Sequence, residues 1–323
     1  MSWPRILGAL FCVSAVAGPL LVWNRPAGTG TAGSVLRSQG VVERSWGRPG
    51  HRAGELDKPR AMAISGSDEI YLVDKTARIQ VYDGDGTFQR GWTTPESRFG
   101  RPTGMSFSRD GLLMVADTHY NRVLFYRPDG TLVPERTLGG DTGPTAGRLG
   151  WVTDVVQDSR GQYYVSEYGD FDRIHKFSAA GEWLLEWGHH GSAPGEFARP
   201  QGLAIDSSDR LYVADACNHR IQIYDVSAES PQLLHVWGSP GAGLGELRYP
   251  YNLLLDGRGH LYIVEFGNHR VQKWTVDGQP LSSWGTMGRR PGELFNPWAV
   301  GLDSRGKLFV VDTYNNRVYR IRM

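Results

Sequence analysis

Six times along the 323-residue chain an acidic residue is followed, four to six positions later, by an arginine: Asp74/Arg78, Asp117/Arg122, Glu167/Arg173, Asp215/Arg220, Glu265/Arg270 and Asp312/Arg317. A carboxylate beside a guanidinium can do acid–base chemistry or hold a charged substrate. It can equally tie a turn, and repetition decides for the tie, because a group present in every unit serves the unit. Each carboxylate is expected to end one strand and accept from turn amides. Each arginine is expected to start the next strand and reach back bidentately.

Chemistry particular to one site must come from positions where the units differ. Six of the nine histidines fall in loops: His51, His119, His189, His190, His219 and His269. The residues directly after each loop proline are Arg60, Thr103, Gln201, Tyr251 with Asn252, and Trp298. In the third unit the proline is lost, and Trp151-Val152-Thr153-Asp154 stands in its place. Arg60, Thr103, Asp154, Gln201, Tyr251, Asn252 and Trp298 are therefore the candidate binding residues. A cation, an acid, amides and aromatics in one ring suit recognition of a small or extended polar ligand. The stretch Glu167-Tyr168-Gly169-Asp170-Phe171-Asp172-Arg173 offers three carboxylates to a hard cation such as Ca²⁺. Its spacing matches no established loop, so a solvated acidic turn is the preferred reading. A zinc site from His119, His219 and His269 would need three separate units to converge, and His219 and His269 occupy equivalent places in successive units, which keeps them apart. There is no phosphate-cradling glycine loop, nucleophile elbow or HExxH motif, so no catalytic residue and no cofactor is expected.

The elements that position these residues repeat as well. Each unit reads Trp-Gly, a Gly/Pro-rich loop, Pro, then three short apolar runs with polar turns between them. The arginines of the six pairs lie 44, 51, 47, 50 and 47 residues apart. A period in the forties with about four short strands per unit means propeller blades. The runs alternate with period two, which excludes a helical solenoid. In the fourth unit the strands are expected at 202–206, 211–215, 220–224 and 233–237. Trp46, Trp92, Trp187, Trp237 and Trp284 end outer strands and are read as packing anchors. The last unit stops after its third strand, while a spare strand at 40–47 precedes the first. The economical reading is an all-β, six-bladed propeller over 40–323, closed by its N-terminal strand.

At these residues the chain resembles the NHL-repeat family. The resemblance is carried by Pro-Gly-Glu-Phe/Leu-x-x-Pro at 194–200 and 291–297, with Gly-Glu-Leu variants at 54–56 and 245–247. It is carried too by LYVADACNHRIQ at 211–222 and LYIVEFGNHRVQ at 261–272, and it covers 40–323. The family's six-bladed members include lyases of the peptidylglycine-amidating type, which resemble this propeller. That likeness implies histidines holding zinc at the channel mouth. The matching positions, just after the loop prolines, contain no histidine here. A propeller supports unrelated activities, so the family implies fold more strongly than function.

The first 37 residues differ in kind. The segment 6–23 is mostly apolar, flanked by Arg5 and Arg25, with no Asp or Glu in 1–37. It reads either as a cleaved signal, with Ala15-Val16-Ala17 at the cut, or as an uncleaved membrane anchor interrupted by Gly18 and Pro19. Residues 24–39 read as a flexible linker. Both readings export the propeller, leaving it membrane-anchored outside the cytoplasm or, if cleaved, secreted or periplasmic. Removing Arg5, Arg25 and Arg37 from a formal charge of +1 leaves −2 on the rest, which argues against a nucleic-acid partner. The expected partner is a protein, a peptide or an envelope polysaccharide. A channel-mouth lyase or hydrolase using a metal is the alternative.

Overall fold

The computed structural model of the protein describes residues 40–99, 101–140 and 147–323. The readings of 1–23 as signal or anchor and of 24–39 as linker lie outside the described residues. Six antiparallel sheets of four strands form the blades, and in five of them each strand pairs with its sequence neighbour. In blade four the strands are Pro200–Ile205, Arg210–Asp215, Arg220–Asp225 and Gln232–Trp237, running from the axis outward. They match the expected ranges to within two residues at each end, the first ending at Ile205 rather than 206. Among the described residues, no helix is long and apolar enough to cross a membrane.

The sixth blade closes as its missing strand requires. Val41–Trp46 pairs antiparallel with Arg317–Arg322, outside Leu308–Asp312 and Ala299–Leu302. Polar and apolar contacts both seal the join. Lys307 Nζ lies 2.7 Å from Glu43, Arg320 reaches Asp85 of blade one at 3.0 Å, and the Trp46 ring sits 4.5 Å from that of Tyr82. The other expected anchors repeat the theme. Trp92 meets Tyr126, Trp187 meets Tyr224 and Trp284 meets Tyr319, each on the following blade, at 5.7, 5.7 and 5.5 Å. Trp237 packs with Leu253 and Trp274 of blade five. The core is thus a set of apolar layers between blades, where burial of aromatic and branched side chains supplies the stabilisation.

Near the axis the inner strands approach closely. A Cβ added at Gly104 would stand 2.3 Å from the Thr153 carbonyl oxygen, and one at Gly202 would stand 2.7 Å from the Asn252 Cα. Only glycine lets neighbouring backbones meet there.

All six acid–arginine pairs form, but not bidentately. Asp74/Arg78 meets at 2.6 Å, Asp117/Arg122 at 3.0 Å, Glu167/Arg173 at 2.6 Å, Asp215/Arg220 at 2.7 Å and Asp312/Arg317 at 2.7 Å; Glu265 pairs with Arg270. Five of the six use Nε, while Arg78 uses a terminal nitrogen. In blade four the rest of the fork clamps the loop leading into the blade, donating to Ser192, Ala193 and Glu196 carbonyls at 2.6–2.8 Å. Asp215 meanwhile accepts the Ala198 amide at 2.7 Å. Arg270 and Arg317 repeat this pattern in blades five and six. In blades one, four, five and six the pair therefore knots a glycine-rich loop whose carbonyls would otherwise lack donors, whereas Arg122 and Arg173 turn to the second carboxylates of Glu96 and Glu186.

Candidate functional site: an aromatic and arginine ring on the loop face

Strand register fixes where the non-repeated residues stand. Pro59 pairs with Asp74, Pro200 with Asp215 and Pro250 with Glu265. The start of each inner strand thus lies at the same end of the blade as the acid and its turn. Side chains around the loop prolines therefore gather on one face, about the axis.

Three of the expected ring residues meet there. Tyr251 and Trp298 are buried, with ring centroids 4.8 Å apart in an edge-on arrangement. The Arg60 guanidinium lies 5.0 Å over the Trp298 ring. Phe266 stacks on Tyr251 at 4.6 Å and continues to Tyr314 at 6.3 Å, over which Lys58 sits at 4.9 Å. In the other direction Arg199 lies over Tyr251 and Tyr168 at 5.7 and 4.7 Å. Tyr168 meets Trp151 at 5.4 Å, and Trp151 meets His119 at 5.8 Å. The circuit draws on all six blades. Trp151 and Tyr314 are exposed at its rim, 44% and 40% accessible, and Tyr251 and Trp298 form its floor.

The remaining ring residues are placed differently. Thr103 Oγ1 donates to the Thr153 carbonyl at 3.1 Å, tying blade two to blade three. Asp154 accepts the amides of Leu203 and Val155, both at 2.9 Å, tying blade three to blade four. Asn252 accepts the Val300 amide at 3.2 Å, tying blade five to blade six. Gln201 is buried, with its amide nitrogen lacking a hydrogen-bond partner among the described residues. Asp154 and Asn252 also line a cavity of about 290 Å³ walled by Met62, Met105, Leu203, Leu253 and Val300. That cavity follows the later halves of the inner strands. Burial pushes the Asp154 carboxyl up to about 7, against the two amide hydrogen bonds that favour its charged form.

The histidines are spent on other tasks. The Tyr249 amide donates to His219 Nδ1 at 3.1 Å, and the Asn296 amide donates to His269 Nδ1 at 3.0 Å. Each of these histidines adopts a left-handed backbone, at φ 57° and 53°, and caps the loop of the next blade. His119 has a buried Nδ1 without a hydrogen-bond partner among the described residues. Burial, then the charges of Arg101 and Arg60, lower it to about 4. His51, His189 and His190 sit beside Asp57, Glu196 and Asp172 at 3.7, 3.2 and 2.5 Å. No three metal-ligating side chains gather among the described residues. The ring positions that the amidating lyases would fill with histidine do not fit zinc, since they present Arg60, Thr103, Gln201, Tyr251 and Trp298. In the 167–173 loop the carboxylates likewise separate. Glu167 binds Arg173, whereas Asp172 accepts from the Arg199 amide at 3.1 Å.

Sequence reasoning passed over Lys58, Arg101 and Arg199, Tyr168, Phe266 and Tyr314 as ring members. A signal was present. Lys58, Arg101 and Arg199 each immediately precede a loop proline, and Tyr168 and Phe266 each immediately follow a pair's glutamate.

The NHL repeat family profile matches residues 197–224, the stretch from the loop of blade four through its third strand. Over 131 residues the chain is 34% identical to peptidylglycine alpha-amidating monooxygenase of Rattus norvegicus, covering 38% of this chain and 13% of that protein. NHL repeat-containing protein 3 of Homo sapiens is 29% identical over 169 residues, covering 47% of this chain and 46% of that one. The chain thus spans less than half the length of these curated relatives. Among solved structures, virginiamycin B lyase from Staphylococcus aureus superposes with a TM-score of 0.57 at 14% identity, covering 82% of this chain and 80% of that one. A gluconolactonase from Xanthomonas campestris gives 0.62 at 14% identity, covering 84% and 87%. These structures share the propeller fold. Repeat, blade count and relatives agree on the fold: the chain is a six-bladed β-propeller that carries an NHL repeat at 197–224 and is similar to NHL repeat-containing proteins.

Proposed function

We propose that the protein is an exported binding module that holds a protein, a peptide or an envelope polymer against the loop face of its propeller. The observation that carries this reading is the ring itself, in which every blade contributes an aromatic or cationic side chain that the repeat does not require. Large rigid aromatics beside arginine are the side chains that concentrate binding energy at interfaces. The rim residues Trp151 and Tyr314 offer apolar faces to a ligand, while the floor beneath them is already packed.

The likeness to amidating enzymes and lyases supports a second reading, a metal-dependent lyase or hydrolase at the same face. The two separate by binding and by metal content. Peptide arrays and envelope polysaccharide fragments presented to the full-length chain should give binders that Trp151→Ala and Tyr314→Ala weaken at least tenfold. One tightly held metal ion per purified chain, with turnover abolished by chelation, would replace the binding reading with the enzymatic one. Export is tested by protease added to intact cells, or to spheroplasts where an outer membrane intervenes. Digestion before lysis is the expected result, and protection until lysis would place the propeller in the cytoplasm.

A further inference from the structure

Arg60 differs from the other deeply set arginines. Arg78, Arg122, Arg173, Arg220, Arg270 and Arg317 each meet a carboxylate. Arg60 forms no ion pair among the described residues, and its Nε is sealed from solvent without a hydrogen-bond partner there. Its described side-chain contact is the face of Trp298. A guanidinium keeps its charge at any physiological pH. Taking such a charge out of water without a partner is costly, and a protein keeps such a group where something else supplies the counter-charge. The neighbours make the cost larger. Burial, then repulsion from Arg101 and more weakly from Arg199, push Arg60 below its ordinary value. Asp154, the carboxylate among the residues expected at the ring, has both oxygens engaged by the Leu203 and Val155 amides. Arg101 is exposed and likewise enters no ion pair among the described residues. Arg199 lies over Tyr168 and Tyr251 at 4.7 and 5.7 Å.

We propose that Arg60, Arg101 and Arg199 form an oxyanion receptor on the loop face, which takes a carboxylate or phosphate group of the ligand while Trp151, Tyr168 and Tyr314 hold its planar or apolar part. The inference deepens the binding-module reading and rests on the same face. The Arg60 fork of N–H donors, with no acceptor among the described residues, matches the two or three oxygens of such a group. Aromatic faces beside it recognise the adjoining ring or chain. The mild negative charge of residues 38–323 makes this cationic patch local, so a single anionic group of a ligand is selected rather than a polyanion.

Four probes test the receptor on the full-length chain, read by tryptophan fluorescence and thermal melting: N-acetylphenylalanine, its neutral amide, phenyl phosphate and inorganic phosphate. Saturable quenching by the acid or by phenyl phosphate, at least tenfold tighter than by the amide, is the expected result. Whichever of the two binds tighter identifies the oxyanion. Arg60→Met should abolish the preference, and it should also melt at a higher temperature than the wild type in ligand-free buffer, because a desolvated charge is gone. The anionic probe should raise the wild-type midpoint and leave that of Arg60→Met unmoved. Equal affinity for acid and amide would overturn the receptor while leaving the aromatic face standing as a binding surface. No saturable binding of any anion, or a lower melting temperature for Arg60→Met, would assign Arg60 a structural role and overturn it as well. Failure of the binding-module reading shows separately, as polymer or peptide binders that ignore Trp151→Ala and Tyr314→Ala.

Discussion

Arg220 touches Asp215 through Nε alone, at 2.7 Å, and gives its other N–H groups to the carbonyls of Ser192, Ala193 and Glu196. The pair is a knot joining a strand end to a loop, and blades one, five and six tie the same way. Both partners are buried, so removing one strands the other. Arg220→Ala should cost about 2–4 kcal/mol of stability, since it leaves a buried carboxylate uncompensated and three carbonyls without donors. Arg220→Lys should recover only part of this, because an ammonium cannot span the loop. Urea titration measures both, and an Arg220→Ala midpoint equal to the wild type's would end the structural reading.

Closure of the ring depends on Val41–Trp46 lying along Arg317–Arg322. Removing 40–46 would expose the edge of Arg317–Arg322 and strip Trp46 from Tyr82. The whole propeller should melt earlier and in one transition, because blade packing is shared around the ring. Calorimetry showing an unchanged midpoint would refute the closing-strand role.

Gly202→Ala is a small change with a large expected effect. The new methyl would meet the Asn252 Cα at 2.7 Å and the Tyr251 carbonyl oxygen at 2.8 Å, both backbone atoms. Blades four and five would have to separate at the axis. A loss on the order of 1–3 kcal/mol is expected, as for other overpacked sites. Gly66→Ala, with nothing within 4 Å, serves as the neutral control.

His119 makes stability depend on pH with a defined sign. Its folded value of about 4 lies below the ordinary histidine value of 6.5, through burial and the charges of Arg101 and Arg60. Between these values the unfolded chain binds the proton and the folded chain does not, so stability contributed by the neutral ring is lost as pH falls from 6.5 towards 4. Asp154 acts oppositely. Its carboxyl is raised from 3.8 to about 7, so its contribution to stability declines as pH rises through that window. The wild-type curve therefore hides two opposed terms. His119→Phe should become progressively more stable relative to wild type from pH 7 to pH 5, as followed by chemical denaturation. A constant difference between the two proteins would contradict a depressed His119.

Periodicity alone carried most of the fold. The spacing of the arginines, the alternating runs and the stray strand at 40–47 dictated six blades and their closure, because a repeat must be satisfied in the same way each time. The pairing of Asp215 with Arg220 was legible for that reason. Its geometry was not, since the loop carbonyls that claim the rest of the guanidinium come from 24 to 28 residues earlier. The ring shows the same division. Sequence placed Arg60, Tyr251 and Trp298 after equivalent prolines and so at one end of their strands. Which of the neighbouring positions point to a common centre, and which turn to the next blade's backbone as Thr103, Asp154 and Asn252 do, was set by the close packing of inner strands at the axis. That packing also left Arg60 without a carboxylate partner among the described residues, a property of the space around it that no local pattern encodes.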